Sequence, residues 1–208
     1  MQPEPRPACL PCVWMQMTSD PLCDRLATDV DEAFPELVVA NQDLVFGVAL
    51  RVVRDEHAAE DVAQEAFVRA YRALKRYPNQ QVRELRLRPW LARIALNAAR
   101  NELRGRRSHV DIDEAAATLA EPGDSPLRLA ERSDERRTWA RLLAGLPDRY
   151  RLAVALRYID DLSYPELAET LGRPLGTVKS DVHRGTALLR AAYDAEQRAL
   201  GGAQEAAS

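Results

Sequence analysis

The segment LSYPELAETLGRPLGTVKSDVHRGTALLR, residues 162–190, constrains the fold more than any other stretch of the chain. Ser163 and Glu166 have capping-box spacing, Pro165 suits a first helical turn, and Gly172 supplies the left-handed residue that ends a helix. After the short turn RPLG, a longer helix is expected from about Thr177 to Tyr193. Short helix, Gly-containing turn and longer helix together form a helix-turn-helix pattern. On the second helix the spacing turns Val178, Val182 and Leu189 inward and Thr177, Lys179, Ser180, His183 and Arg184 outward.

Those outward donors, with Arg173 in the turn, suit phosphates and base edges in a major groove. An ordinary helical hairpin with a solvated face reads the same way, so the surroundings must decide. Upstream, Leu142, Leu143 and Leu146 precede Pro147, and RYRLAVALRYI supplies another helix. Residues 34–107 form a separate helical unit. Phe34, Leu37, Val38, Leu44, Val45, Val48 and Val52 recur at helical spacing, with Pro35 placed for a first turn. Asp55 can cap a second helix whose apolar side is Val62, Ala66, Phe67, Ala70, Tyr71 and Leu74. The polar YPNQQ breaks it, and Pro89 opens a third with Leu91, Ile94, Ala95 and Ala98 buried.

Two further stretches carry chemistry. From Val82 to Arg107 there are eight arginines and two glutamates. Arg88 stands just ahead of the helix, and Arg93, Asn97, Arg100, Asn101 and Arg104 fall on the face opposite the apolar one. Guanidinium and amide groups side by side can hold backbone phosphate and also hydrogen-bond base edges. Trp90 at the helix start can stack on an unpaired base or sit in the core. The second stretch, AAEDVAQEAFVRAYRALKRY, places Asp61, Gln64, Glu65 and Val68 opposite Phe67 and Tyr71. Phosphates would repel such a face; it suits a basic helical partner or simply water.

Between the units, residues 108–134 hold seven acids and two arginines around a Pro-Gly pair, a composition suited to a solvated linker. The fold class expected is all-α: two small helical domains on an acidic tether. Ala, Leu and Arg dominate and aromatics make up only 6%, which favours helix over sheet. The net charge of −3 averages over basic and acidic segments and so excludes little. No apolar run reaches the ~20 residues needed to span a bilayer. The Pro-rich start has no secretory pattern, so a cytoplasmic location is expected. Cys9 and Cys12 form a CxxC pair. A redox pair, half a zinc site and incidental thiols in a disordered leader all fit it, and Met15 or Met17 as the start would remove it. No His or second CxxC completes a tetrahedral set, so no metal or cofactor is expected.

In this order, the three stretches resemble the extracytoplasmic-function class of RNA polymerase sigma factors. AEDVAQEAFVRAYRAL is similar to the polymerase-binding part of the region 2 domain. RPWLARIALNAARNELRGRR is similar to its minus-ten recognition and melting part. LPDRYRLAVALRYIDDLSYPELAETLGRPLGTVKSDVHRGTALLR is similar to the region 4 domain that reads the minus-thirty-five element. The resemblance covers about residues 30–193. It implies a disordered leader over 1–29, region 2 over 30–107, a linker over 108–134, region 4 over 135–193 and a disordered tail over 194–208.

The resemblance implies no catalysis and three groups of contact residues. Asp61, Gln64 and Glu65, with Val68 beside them, would meet the β′ clamp helices of core polymerase. Asn97 and Asn101 would meet the melted minus-ten strand of promoter DNA, with Arg88, Trp90, Arg93, Arg100 and Arg104 as further candidates on the same segment. Thr177, Lys179, Ser180 and Arg184 would meet the minus-thirty-five groove, with Arg173 and His183 as further candidates beside them. The β flap of polymerase and an anti-sigma protein are the remaining partners implied. Asp181 stands where many relatives carry arginine, Gly185-Thr186 replaces Ala-Arg, and Leu87 occupies a position often aromatic. The rival readings are a stand-alone helix-turn-helix repressor or activator, which would dimerise, and a thiol-redox enzyme.

Overall fold

A computed structural model of the chain describes residues 20–109 and 134–205. Cys9, Cys12 and most of the acidic linker lie outside the described residues. The first helix, α1 (Pro21–Thr28), begins where the Asp20 carboxylate accepts from the Leu22 amide at 3.0 Å. A helix this short is marginal in isolation. It persists because Leu22, Cys23, Leu26 and Ala27 are buried in the first domain. The expected disordered leader is therefore corrected: its last residues are a core element. Each fully buried leucine contributes roughly 1.5–3 kcal/mol, an upper figure because denatured chains already bury some surface.

Asp29 caps α2 (Val30–Val53) through Asp31 and Glu32. Pro35 lies inside this helix rather than in its first turn, a second correction. The helix tolerates it because proline's fixed φ is helical, at the cost of one backbone bond near the N-terminus. Helix α3 (Glu56–Leu74) starts on the Asp55 carboxylate, which accepts from the Ala58 amide at 2.7 Å. Its buried side is built largely from alanines, so α2 and α3 approach closely. A short α4 (Asn79–Arg83) leads into α5 (Leu87–His109). Helices α2, α3 and α5 pack on one another and form the body of this domain.

The second domain holds α6 (Asp134–Ala144), α7 (Asp148–Tyr158), α8 (Tyr164–Leu171) and α9 (Leu175–Glu205). The expected cap is present: the Glu166 carboxylate accepts from the Ser163 amide at 2.8 Å and from Ser163 Oγ at 2.6 Å. Gly172 ends α8 at φ +63°, in the left-handed region where a Cβ is strained. Gly185 lets α9 cross α7, since a Cβ there would lie 2.5 Å from Val154 Cγ2. The expected tail is corrected as well, because α9 continues to Glu205. Tyr193 stacks on Trp139 with centroids 4.6 Å apart, and Glu196 pairs with Arg141, so α6 supports this extension.

The two domains pack against each other. Helices α7 and α8 pack against α2 and α5, and both domains contribute to one continuous hydrophobic core. Arg51 Nη1 meets the Asp160 carboxylate at 2.7 Å, with only 16% and 7% of the two side chains exposed. Arg151, itself buried, donates to the Arg51 carbonyl at 2.9 Å. Arg54 pairs with Asp148, Arg86 with Glu166, and Thr170 Oγ1 donates to the Pro89 carbonyl.

Candidate nucleic-acid and polymerase interfaces

Helix α5 places one basic and amide-bearing face in solvent. Its inward side is Leu91, Ala92, Ala95, Leu96, Ala98 and Ala99. The remaining register leaves Arg93, Asn97, Arg100, Asn101 and Arg104 exposed, as their spacing predicts. Asn101 accepts a hydrogen bond from Arg104, which presents an amide and a guanidinium together. Arg100 is the electrostatically distinct member. Burial lowers its pKa from the ordinary arginine range, and the like charges of Arg173 and Arg104 push the same way.

Two residues assigned to this face sit elsewhere. Trp90 is only 4% exposed and packs against Tyr77 with centroids 6.3 Å apart, so it is a core residue and not a stacking platform. Burying so large an aromatic surface outweighs presenting it to solvent. Arg88 Nη2 donates to the Asp160 carbonyl at 2.7 Å and so joins the domain contact.

On α9, Thr177, Lys179, His183 and Arg184 are exposed and Ser180 is half-buried. Lys179 Nζ lies 5.9 Å from the Tyr164 ring centroid, a cation–π contact between the two helices of the motif. Val178 and Val182 are buried as expected, while Leu189 is half-buried.

Asp181, at the position where many relatives carry arginine, faces inward. It is 1% exposed, and it pairs with Arg149 at 2.5 Å and with Arg173 at 3.0 Å. Acid at this position does not dilute the outward charge of the helix. It ties α7 and the turn to α9 from the inside, and Arg173 is engaged in that tie. The pattern held the signal: Val178, Asp181, Val182 and Gly185 share one inward stripe at spacings of three, four and seven. Arg151 was missed for a similar reason, since residues 151–156 are all buried despite the charge at their start.

On α3, Asp61, Gln64, Glu65 and Val68 are all exposed and face away from the core. Glu65 pairs with Arg69 at 2.7 Å one turn on, and Val68 is 41% exposed. The acidic face of α3 and the basic face of α5 are thus presented by neighbouring helices of one domain. Among the described residues no group of His, Cys, Asp and Glu side chains could hold a metal ion, and no helix is long and apolar enough to cross a membrane.

This geometry can be set beside known proteins. The profile of Sigma-70 region 2 matches residues 37–109, and that of Sigma-70 region 4 matches residues 136–189. The ECF RNA polymerase sigma factor SigW of Bacillus subtilis is 33% identical over 76% of this chain and 88% of its own length. The chain belongs to the extracytoplasmic-function sigma factors of RNA polymerase. The RNA polymerase sigma-H factor of Pseudomonas aeruginosa is 36% identical over 78% of this chain and 87% of its own. The ECF RNA polymerase sigma-E factor of Escherichia coli K12 is 35% identical over 81% and 91%. Among solved structures, CnrH in complex with the cytosolic domain of CnrY superimposes with a TM-score of 0.58 at 28% identity, covering 84% of this chain and 96% of that one. The sigma factor RpoE of Bartonella quintana, solved with the anti-sigma factor NepR, shares the fold at a TM-score of 0.57 and 22% identity, over 76% and 94%. This sigma factor is therefore all-α, with a region 2 and a region 4 domain in that order.

Proposed function

We propose that this sigma factor works in the cytoplasm, catalyses nothing itself, and divides promoter recognition among three surfaces. Asp61, Gln64, Glu65 and Val68 dock on the β′ clamp helices of core polymerase. Arg93, Asn97, Arg100, Asn101 and Arg104 hold the melted minus-ten strand. Thr177, Lys179, Ser180, His183 and Arg184 read the minus-thirty-five groove. The observation that carries this reading is the segregation of charge on the first domain: α3 turns carboxylates outward while α5 turns arginines and asparagines outward.

The two promoter elements lie roughly 25 base pairs apart, or about 85 Å of duplex at ~3.4 Å per pair. Two domains that share one core cannot reach both. Polymerase binding therefore separates them, breaking Arg51–Asp160 and freeing Arg88. An anti-sigma protein, of the kind solved with RpoE, acts by holding the two domains together. The test is transcription in vitro with purified core polymerase and a library of upstream regions. Specific transcripts dependent on the added chain support the proposal; a chain that binds promoter DNA alone and programmes no transcript points to a stand-alone regulator.

A further inference from the structure

Where the two domains meet, a cavity of about 160 Å³ is lined by arginines from both sides. Arg51 and Arg100 come from the first domain; Arg149, Arg151 and Arg173 come from the second. Among the described residues Asp148 is the only acid in its lining, and Val52, Leu96, Leu103 and Leu152 close its walls. Four of the five arginines have a carboxylate partner: Asp160 for Arg51, Asp181 for Arg149 and Arg173, and Asp148 for Arg151. Those three acids leave the five arginines with a surplus of positive charge. Arg100 meets no carboxylate among the described residues and instead faces the positive charges of Arg173 and Arg104.

We infer that this inter-domain cavity binds a small oligophosphate, with Arg100 and Arg173 as its principal donors. Guanidinium groups bind phosphate oxygens through paired charge-assisted hydrogen bonds, and the apolar walls lower the local dielectric and strengthen them. A bound anion converts the Arg100–Arg173 repulsion into two attractions across the domain boundary. It thereby holds the closed form. The small size of the cleft distinguishes the ligand from promoter DNA, because a duplex cannot enter a space of about 160 Å³ between packed domains. That Arg100 also serves as a promoter contact rests on the reading proposed above; it makes anion and DNA compete. The site itself does not depend on that reading.

The experiment is calorimetric titration of the full chain with pyrophosphate at fixed ionic strength, paired with thermal unfolding, in the absence of DNA and polymerase. One saturable site per chain is expected, with a melting temperature that rises with pyrophosphate because the ligand binds only the folded, closed protein. Each arginine supplies a charge-assisted bond, so Arg100→Gln and Arg173→Gln should each weaken binding on the order of tenfold or more. Asp160→Lys, which separates the domains and leaves all five arginines in place, should abolish the saturable phase. No saturable binding by the unmodified chain would overturn the proposal. So would equal binding by Arg100→Gln, an exposed substitution that leaves the core untouched, because the anion would then be screening surface charge at large. If the site survives these tests while no transcript is ever programmed, the proposed function fails and the cavity assignment does not.

Discussion

The contact between Arg51 and Asp160 offers the sharpest test of the domain packing. Burial pushes the Asp160 carboxyl above the usual carboxylate range, although Arg51 and Arg88 both pull it down. The pair is therefore expensive to desolvate, and its worth lies in not being left half-made. Removing one partner of a buried ion pair costs roughly 3–5 kcal/mol, and the partial exposure of Arg51 places this case lower, at about 2–3 kcal/mol. Asp160→Ala and Arg51→Ala should each show that loss in urea unfolding followed by circular dichroism. In the double variant the loss should be less than additive, with a coupling of about 1–3 kcal/mol. Replacing both partners with apolar residues, Arg51→Met with Asp160→Leu, should restore most of the stability, because the desolvation cost goes along with the bond. A coupling below ~0.5 kcal/mol would refute the reasoning, as it would mean that the two side chains do not meet in solution.

Four other outcomes follow from the same geometry. Reversing charge at Asp61 and Glu65 to lysine should weaken binding to core polymerase on the order of tenfold by fluorescence anisotropy; stability should hardly change, because exposed pairs such as Glu65–Arg69 contribute little. Asn97→Ala with Asn101→Ala should reduce open-complex formation by permanganate footprinting, by an amount worth ~1–3 kcal/mol per base contact, while polymerase binding is retained. Gly185→Ala should destabilise the chain by about 1–3 kcal/mol in thermal unfolding, since its Cβ would lie 2.5 Å from Val154 Cγ2 and 3.3 Å from the Tyr150 carbonyl oxygen. Burial, together with Asp20 and Asp24, pushes the Cys23 thiol up to about 11 from 9.0. Between those values the unfolded chain has lost this proton and the folded chain keeps it, so stability should fall as pH rises through the window, and the midpoint of urea unfolding should fall with it.

Most of the helices and the outward faces are legible in the residue pattern, because they depend on neighbours within a turn or two. The Ser163–Glu166 cap, the Gly172 stop, the Asp55 cap and the exposed registers of Asn97, Asn101, Thr177 and Lys179 are all local consequences of spacing. The α1 helix escaped notice because eight residues hold too little periodicity to stand out, and only packing against the first domain keeps them helical. The end of α9 escaped notice for a related reason: its support comes from Trp139 and Arg141, more than fifty residues away in the chain.

Tertiary structure alone decided the fate of the charged and ambiguous residues. Whether Trp90 is a platform or a core residue, and whether Asp181 is solvated or clamps Arg149 and Arg173, depends on which helix lies against it. Periodicity names a face but not the partner that covers it. The same limit hid the closed arrangement of the domains, since Arg51, Arg151 and Asp160 read as solvated charges until the other domain removes their water. Desolvation is set by everything within a few ångströms of a group, and that surrounding is assembled from distant parts of the chain.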